Sequence, residues 1–148
     1  MTKANRLTFE KAERLTHKIL IEKLFSEGNG FICYPFRIVW KETQLHSTYP
    51  AQVAITVSKR NFKRAVTRNL LKRRIREIYR LHKISFYNEL KERNIQIAFM
   101  VIYLPKNIMK TNEMESKLIK GIQRIPLEYD KLSEKFKKDD SIHHDSAN

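Results

Sequence analysis

Residues 51–83 read AQVAITVSKRNFKRAVTRNLLKRRIREIYRLHK, an alternating strand that runs without a break into a strongly basic helical segment. In Ala51 to Ser58, Val53, Ile55 and Val57 point to one side of an extended chain, while Gln52, Ala54, Thr56 and Ser58 point to the other. That second side is small and polar, and would let a ligand backbone approach closely. From Lys59 onward the charge rises sharply. Residues 59–83 hold eleven of the thirty Lys and Arg and a single acid, Glu77, so ten of the fourteen net positive charges of the 148-residue chain lie there. On a helical wheel Leu70, Leu71, Ile75, Ile78 and Leu81 form one apolar stripe, about 80° to 220° from Phe62. Arg68, Asn69, Lys72, Arg73, Arg76, Arg80 and Lys83 occupy the opposite arc, with Ala65 and Tyr79 among them. Like charges at i, i+4, as in Arg68, Lys72, Arg76 and Arg80, destabilise an isolated helix by about 0.2–0.5 kcal/mol per pair. A helix built only for stability would interleave Glu, so the row reads as a phosphate-facing surface. An amphipathic helix that lies on lipid would expose Trp or Phe, whereas this inner face is aliphatic and continuous with a folded domain; nucleic acid is the better partner.

Outward from this stretch, Thr16 to Gly28 reads as a short helix with Thr16 as N-cap and Gly28 just past its end. Phe31 to Lys41 reads as one strand, with Pro35 at its start or in a bulge. Ile95 to Tyr103 is apolar on both faces after Gln96, as a central covered strand would be, and Pro105 closes it. Thr111 to Arg124 reads as a helix with Met114, Leu118, Ile122 and Ile125 inward, stopped by Pro126. The order α-β-β-α-β-α predicts an α+β fold, a two-layer sandwich with a small central sheet. The expected organisation is a polar N-terminal arm over 1–12, a single RNA-binding α+β domain over 13–128, and a polar mobile tail over 129–148.

Composition narrows the chemistry. With 41% apolar and 31% charged residues the chain is expected to fold and to be soluble. Its longest unbroken apolar run, Ile97 to Leu104, falls far short of the roughly 20 residues a membrane span needs. The first fifteen residues lack the apolar core of a secretory signal and Cys33 is the lone cysteine, so the cytoplasm is the expected location, with no membrane partner. All four Asp (Asp130, Asp139, Asp140 and Asp145) fall in the last nineteen positions. His17, His46 and His82 are scattered, and His143 and His144 lie in the tail. Metal-dependent hydrolases hold ions with clustered carboxylates, and zinc sites need Cys and His at set spacings. Neither pattern is present, so no catalytic or metal-binding residue is assigned and no cofactor is expected on the chain. Cys33 reads as a buried apolar side chain.

The stretch SKRNFKRAVTRNLLKRRIREIYR, Ser58 to Arg80, resembles the signature of the protein subunit of bacterial ribonuclease P, in which a strand ending V-S-K-[KR] leads into A-V-x-R-N-x-x-K-R-x-x-R-E. The matching positions are Val57-Ser58-Lys59-Arg60, Ala65-Val66, Arg68-Asn69, Lys72-Arg73 and Arg76-Glu77. With Arg14-Leu15, Phe25 to Gly28 and Pro35-Phe36-Arg37, the resemblance covers roughly residues 12–125. It implies an accessory subunit of an endoribonuclease that removes the 5′ leader from precursor tRNA, with catalysis and the Mg2+ ions carried mainly by the RNA subunit. The implied partners are the ribonuclease P RNA and precursor tRNA, with no obligate protein partner. The RNA-subunit-binding set is Arg64, Arg68, Asn69, Lys72, Arg73, Arg76 and Arg80. The leader-binding set, in a cleft between the first helix and the sheet, is Ile21, Phe25, Phe36, Val39, Thr56, Ser58, Lys59 and Arg60. Ile21 stands where many members have an aromatic, which would weaken stacking there. The resemblance also implies a left-handed βαβ crossover in a ribosomal protein S5 domain 2-like fold, against the usual right-handed rule. A general RNA- or DNA-binding protein of ribosomal type is the alternative.

Overall fold

The computed structural model describes residues 7–146, with side chains from 7 to 137. A 3-10 turn, Lys11–Glu13, precedes α1 (Lys18–Glu27), β1 (Asn29–Cys33), β2 (Phe36–Glu42), β3 (Ala51–Val57), α2 (Ala65–Glu92), β4 (Ile97–Tyr103) and α3 (Thr111–Ser146). The sheet order is β1-β2-β4-β3, with β2 antiparallel to both its neighbours and β3 parallel to β4. The helix α2 is the crossover that makes this parallel pair possible.

Strand parity sorts the side chains between two faces. Phe36, Ile38 and Trp40 of β2, Val53 and Val57 of β3, and Ile97, Phe99, Val101 and Tyr103 of β4 build the main core with α2 and α3. Val39, Ala98 and Met100 turn the other way, and form a smaller cluster with Leu15, Leu24 of α1 and Leu45. The sheet and α2/α3 are the expected sandwich, and α1 lies across part of the second face. Two glycines allow the close contacts. A Cβ on Gly28 would stand 2.3 Å from the Leu24 carbonyl oxygen and 2.7 Å from Val39, and one on Gly121 would stand 2.6 Å from Ile38.

Several elements differ from the sequence expectation, each for a physical reason. Phe31 to Lys41 is not one strand, because Tyr34 and Pro35 form the turn of a hairpin in which Cys33 faces Phe36. A proline without an N–H cannot sit in mid-ladder. Helix α1 is capped by His17 rather than Thr16, the imidazole Nδ1 accepting the Leu20 N–H at 3.3 Å. Helix α3 runs through Pro126, so the segment from 129 that was expected as tail is helical to Ser146. The missing backbone bond and the ring clash cost about 3 kcal/mol. Packing offsets this: Ile125 is buried, Tyr129 and Leu132 lean on the main core, and the Arg93 fork grips Asp130 at 2.7 and 2.8 Å.

The stripe on α2 also needs correcting. Leu81 is 45% exposed, whereas Tyr79 and Lys83 are buried. Past Ile78 the inward side chains are Tyr79, Lys83, Phe86, Tyr87 and Leu90, which rotates the buried face by about a quarter turn relative to Leu71, Ile75 and Ile78. Lys83 therefore leaves the cationic face. Its ammonium donates to the Glu13 carboxylate and the Thr8 carbonyl, both side chains of the ion pair being fully buried. The Tyr87 hydroxyl also donates to Glu13, at 2.7 Å. Residues 7–12, expected as part of a polar arm, lie along α2: the Leu7 carbonyl accepts from Arg80, and Phe9 meets the Tyr79 ring edge-on at 5.8 Å. Residues 1–6 of that arm lie outside the described residues.

Candidate nucleic-acid interface

Between β3 and α2 the chain folds back on itself. The Ser58 hydroxyl accepts from the Arg60 N–H at 3.0 Å, its carbonyl accepts from the Phe62 N–H at 3.0 Å, and the Asn61 amide donates to the Leu104 carbonyl at 3.2 Å. Phe62 is buried against Tyr103. These bonds present Lys59 and Arg60 outward at the end of the sheet. Helix α2 then opens on Arg64 with no side-chain cap and no acid in its first turn. An uncompensated positive helix end next to free cations is a favourable place for phosphate.

The predicted RNA-binding residues of α2 divide in two. Arg64, Asn69 and Arg73 are exposed and Lys72 is half-exposed. None of these four makes a side-chain hydrogen bond or ion pair among the described residues. Arg76 joins them: burial first, then the nearby cations Arg14 and Arg73, lower its pKa from the ordinary guanidinium value. Arg14 comes from the segment before α1, delivered by a bridge between Arg14 and Val53 on the edge of β3. No local pattern in the sequence announces that meeting. Arg68 and Arg80 are occupied within the fold. Arg68 donates to the carbonyls of Phe62 and Lys63, both at 2.9 Å, and so fixes the loop at the helix start. Arg80 binds Glu77 through two bonds of 2.5 and 3.0 Å as well as Leu7; the pairing raises the Arg80 pKa and lowers that of Glu77.

The second face of the sheet supplies the cleft. Register places Ile32, Arg37, Ile102 and Thr56 in one row across all four strands, and Gly30, Val39, Met100 and Ala54 in the next. Helix α1 covers the second row, with Leu24 packed on Val39 and Met100 and Ile21 partly buried beside them. Phe25, one turn beyond Ile21 on the same side of the helix, is 64% exposed. Ile21, Phe25, Thr56, Ser58, Lys59 and Arg60 are all at least partly open to solvent. Phe36 and Val39 are not. Phe36 has no exposed surface, because its parity sends it to the opposite face and into edge contact with Tyr103, and Val39 is sealed beneath α1. Both side chains belong to the core of this structure and offer almost no surface to a leader. The row instead adds Arg37, exposed, and Ile102, half-buried. Alternation along β2 was the available signal for Arg37, but using it required knowing which face α1 would cover.

A ribonuclease P family model matches residues 9–126. Among curated proteins, the ribonuclease P protein component of Porphyromonas gingivalis is 36% identical over 130 residues, covering 85% of this chain and 95% of that one. The corresponding protein of Petrotoga mobilis is 31% identical over 105 residues, covering 71% and 78%. Among solved structures, the Staphylococcus aureus RNase P protein superposes with a TM-score of 0.58 at 23% identity, over 78% of this chain and 95% of that one. The RNase P protein of Thermotoga maritima gives 0.56 at 22%, over 76% and 97%. At these identities the structures speak for the fold, and the family model and the curated relatives speak for descent: the chain belongs to the family of ribonuclease P protein components, subunits of a tRNA-processing endoribonuclease that is a ribonucleoprotein.

Proposed function

We propose that this chain grips two RNAs at adjoining surfaces. The first half of α2, through Arg64, Asn69, Lys72, Arg73 and Arg76 with Arg14 beside them, takes phosphates of the ribonuclease P RNA. The cleft beside α1, through Ile21, Phe25, Thr56, Ser58, Lys59 and Arg60, takes the single-stranded 5′ leader of precursor tRNA. The observation that carries this reading is the division of the basic row. Among the described residues, the side chains of Arg64, Lys72 and Arg73 at the β3 end of α2 are left without protein partners, next to an open sheet face with an exposed aromatic. Phosphate contacts from Arg and Lys give affinity and position, and stacking on Phe25 tolerates any base. Guanidinium and ammonium groups repel divalent ions, so this donor set suits holding substrate, and Mg2+ and the reacting groups are assigned to the RNA. The cytoplasm, where tRNA is made, is the proposed compartment.

The test is reconstitution. Given precursor tRNA at low magnesium, the chain alone is expected to cut nothing, the RNA alone to cut poorly, and the two together to release the leader. Cleavage by the chain alone, or no reduction in the magnesium requirement of the RNA, would overturn this reading.

A further inference from the structure

Below the row Lys41, Ala98 and Gln52, the second face of the sheet holds a separate cavity of about 330 Å3, which shares no residue with the cleft just described. It opens between the first half of α1 and residues 43–46. The size is at the lower end of the roughly 300–1,000 Å3 of small-ligand sites. Among the described residues, no carboxylate lines it. Leu20 and Leu45 form an apolar floor, and His17, His46, Lys23, Lys41, Thr43 and Gln52 supply the polar rim. Two histidines that the sequence leaves 29 positions apart thus meet at one opening. The Nδ1 of His17 is engaged as acceptor by the Leu20 N–H, so the ring carries its hydrogen on Nε2 and has a donor to offer. Lys41 is tied to Glu27 at 3.1 Å, outside the lining, while the Lys23 ammonium has no partner among the described residues.

A concave site with hydrogen-bond donors, an unpaired ammonium, no acid and an apolar floor suits a group that is anionic at one end and flat at the other. We propose that this cavity holds one nucleotide of bound RNA, with Lys23 and His46 on the phosphate and Leu20 and Leu45 under the ribose or base. The inference rests on the RNA-binding reading above, and Gln52 and Thr56 lie only about 13 Å apart along β3, so one RNA strand or two neighbouring ones reach both places. The phosphodiester chemistry is common to two sources, the 5′ leader and the ribonuclease P RNA.

The test uses the full chain carrying Lys23→Ala with His46→Ala, both on exposed side chains, and a Lys23→Arg control. Affinity for the ribonuclease P RNA is measured first, and then affinity of the reconstituted enzyme for precursor tRNA with a leader of about two or about ten nucleotides, each across a salt series. The double variant is expected to lose about three- to tenfold in one of these, with the salt slope reduced by roughly 0.7 for a phosphate of a single strand, while Lys23→Arg keeps its affinity. Loss confined to the long leader assigns the cavity to the leader, and loss in the RNA-subunit arm assigns it to that RNA. A double variant that melts with the wild type and changes neither affinity nor slope overturns the proposal, as does equal loss in Lys23→Arg. Wild-type protein that binds neither RNA would instead overturn the function proposed above.

Discussion

The Lys83 ammonium sits in a closed set of groups: the Glu13 carboxylate, the Thr8 carbonyl, and the rings of Tyr49 and Tyr87 at 5.9 and 5.5 Å. Helical periodicity put this lysine among the RNA-facing cations because a wheel knows only the helix, and Glu13 lies 70 positions away. Removing one member of a buried pair leaves a charge without compensation, so Lys83→Ala is expected to lose about 3–5 kcal/mol in denaturant unfolding. Lys83→Met combined with Glu13→Leu should recover most of that. A double variant as unstable as the single one would show that the pair is not the cause. Arg68, too, has a role inside the fold that a wheel does not show. Its guanidinium spans two carbonyls, a geometry that the point charge of lysine does not reproduce. RNA-binding defects at Arg68 would therefore report first on the shape of the loop at 58–64.

At the level of elements, α2 joins two helices of different character in one rod. Its first half carries Arg64, Lys72 and Arg73, without side-chain partners among the described residues, over an aliphatic underside, and its second half is buried through Phe86, Tyr87 and Leu90. The strand-to-helix switch at residues 58–65 was legible because period and charge change together. The hairpin and the continuation through Pro126 were not, since each depends on a contact far along the chain. Helix α3 is held to the end of α2 by the Arg93–Asp130 fork, and hydrogen bonding from Arg93 keeps the Asp130 carboxyl below the ordinary aspartate value. A carboxyl depressed in the folded state adds stability above its unfolded pKa of about 3.9 and loses it as pH falls through the lower folded value. Asp130→Asn is therefore expected to lower Tm near neutral pH, and the difference from wild type should shrink as the medium is acidified below the unfolded value. A difference that persists there would point to lost packing instead.

At the scale of the whole molecule, one sheet separates two tasks. The face under α2 and α3 is sealed and holds the fold together, while the face under α1 stays partly open. Alternation in Ala51 to Ser58 already identified the open side of β3. It could not say that β2 would send Arg37 to that side and Phe36 away, because register across β4 decides it. If the open face holds the leader, Phe25→Ala should weaken binding of leader-bearing precursor by about 1–3 kcal/mol and leave mature tRNA binding nearly unchanged. Equal losses in filter binding would place Phe25 outside the leader contact. The position of β4 has a kinetic consequence. It is the last strand made and is bonded to both β2 and β3, so the β1–β2 hairpin and the β3–α2 unit share no ladder until residues 97–103 appear. During synthesis the polycationic helix therefore leaves the ribosome before the sheet that anchors it can close. The closing step joins partners as distant as Phe36 and Tyr103, a non-local search that is slow compared with helix formation. For that interval the most basic segment of the chain has no closed sheet beneath it, which leaves it open to any nearby polyanion.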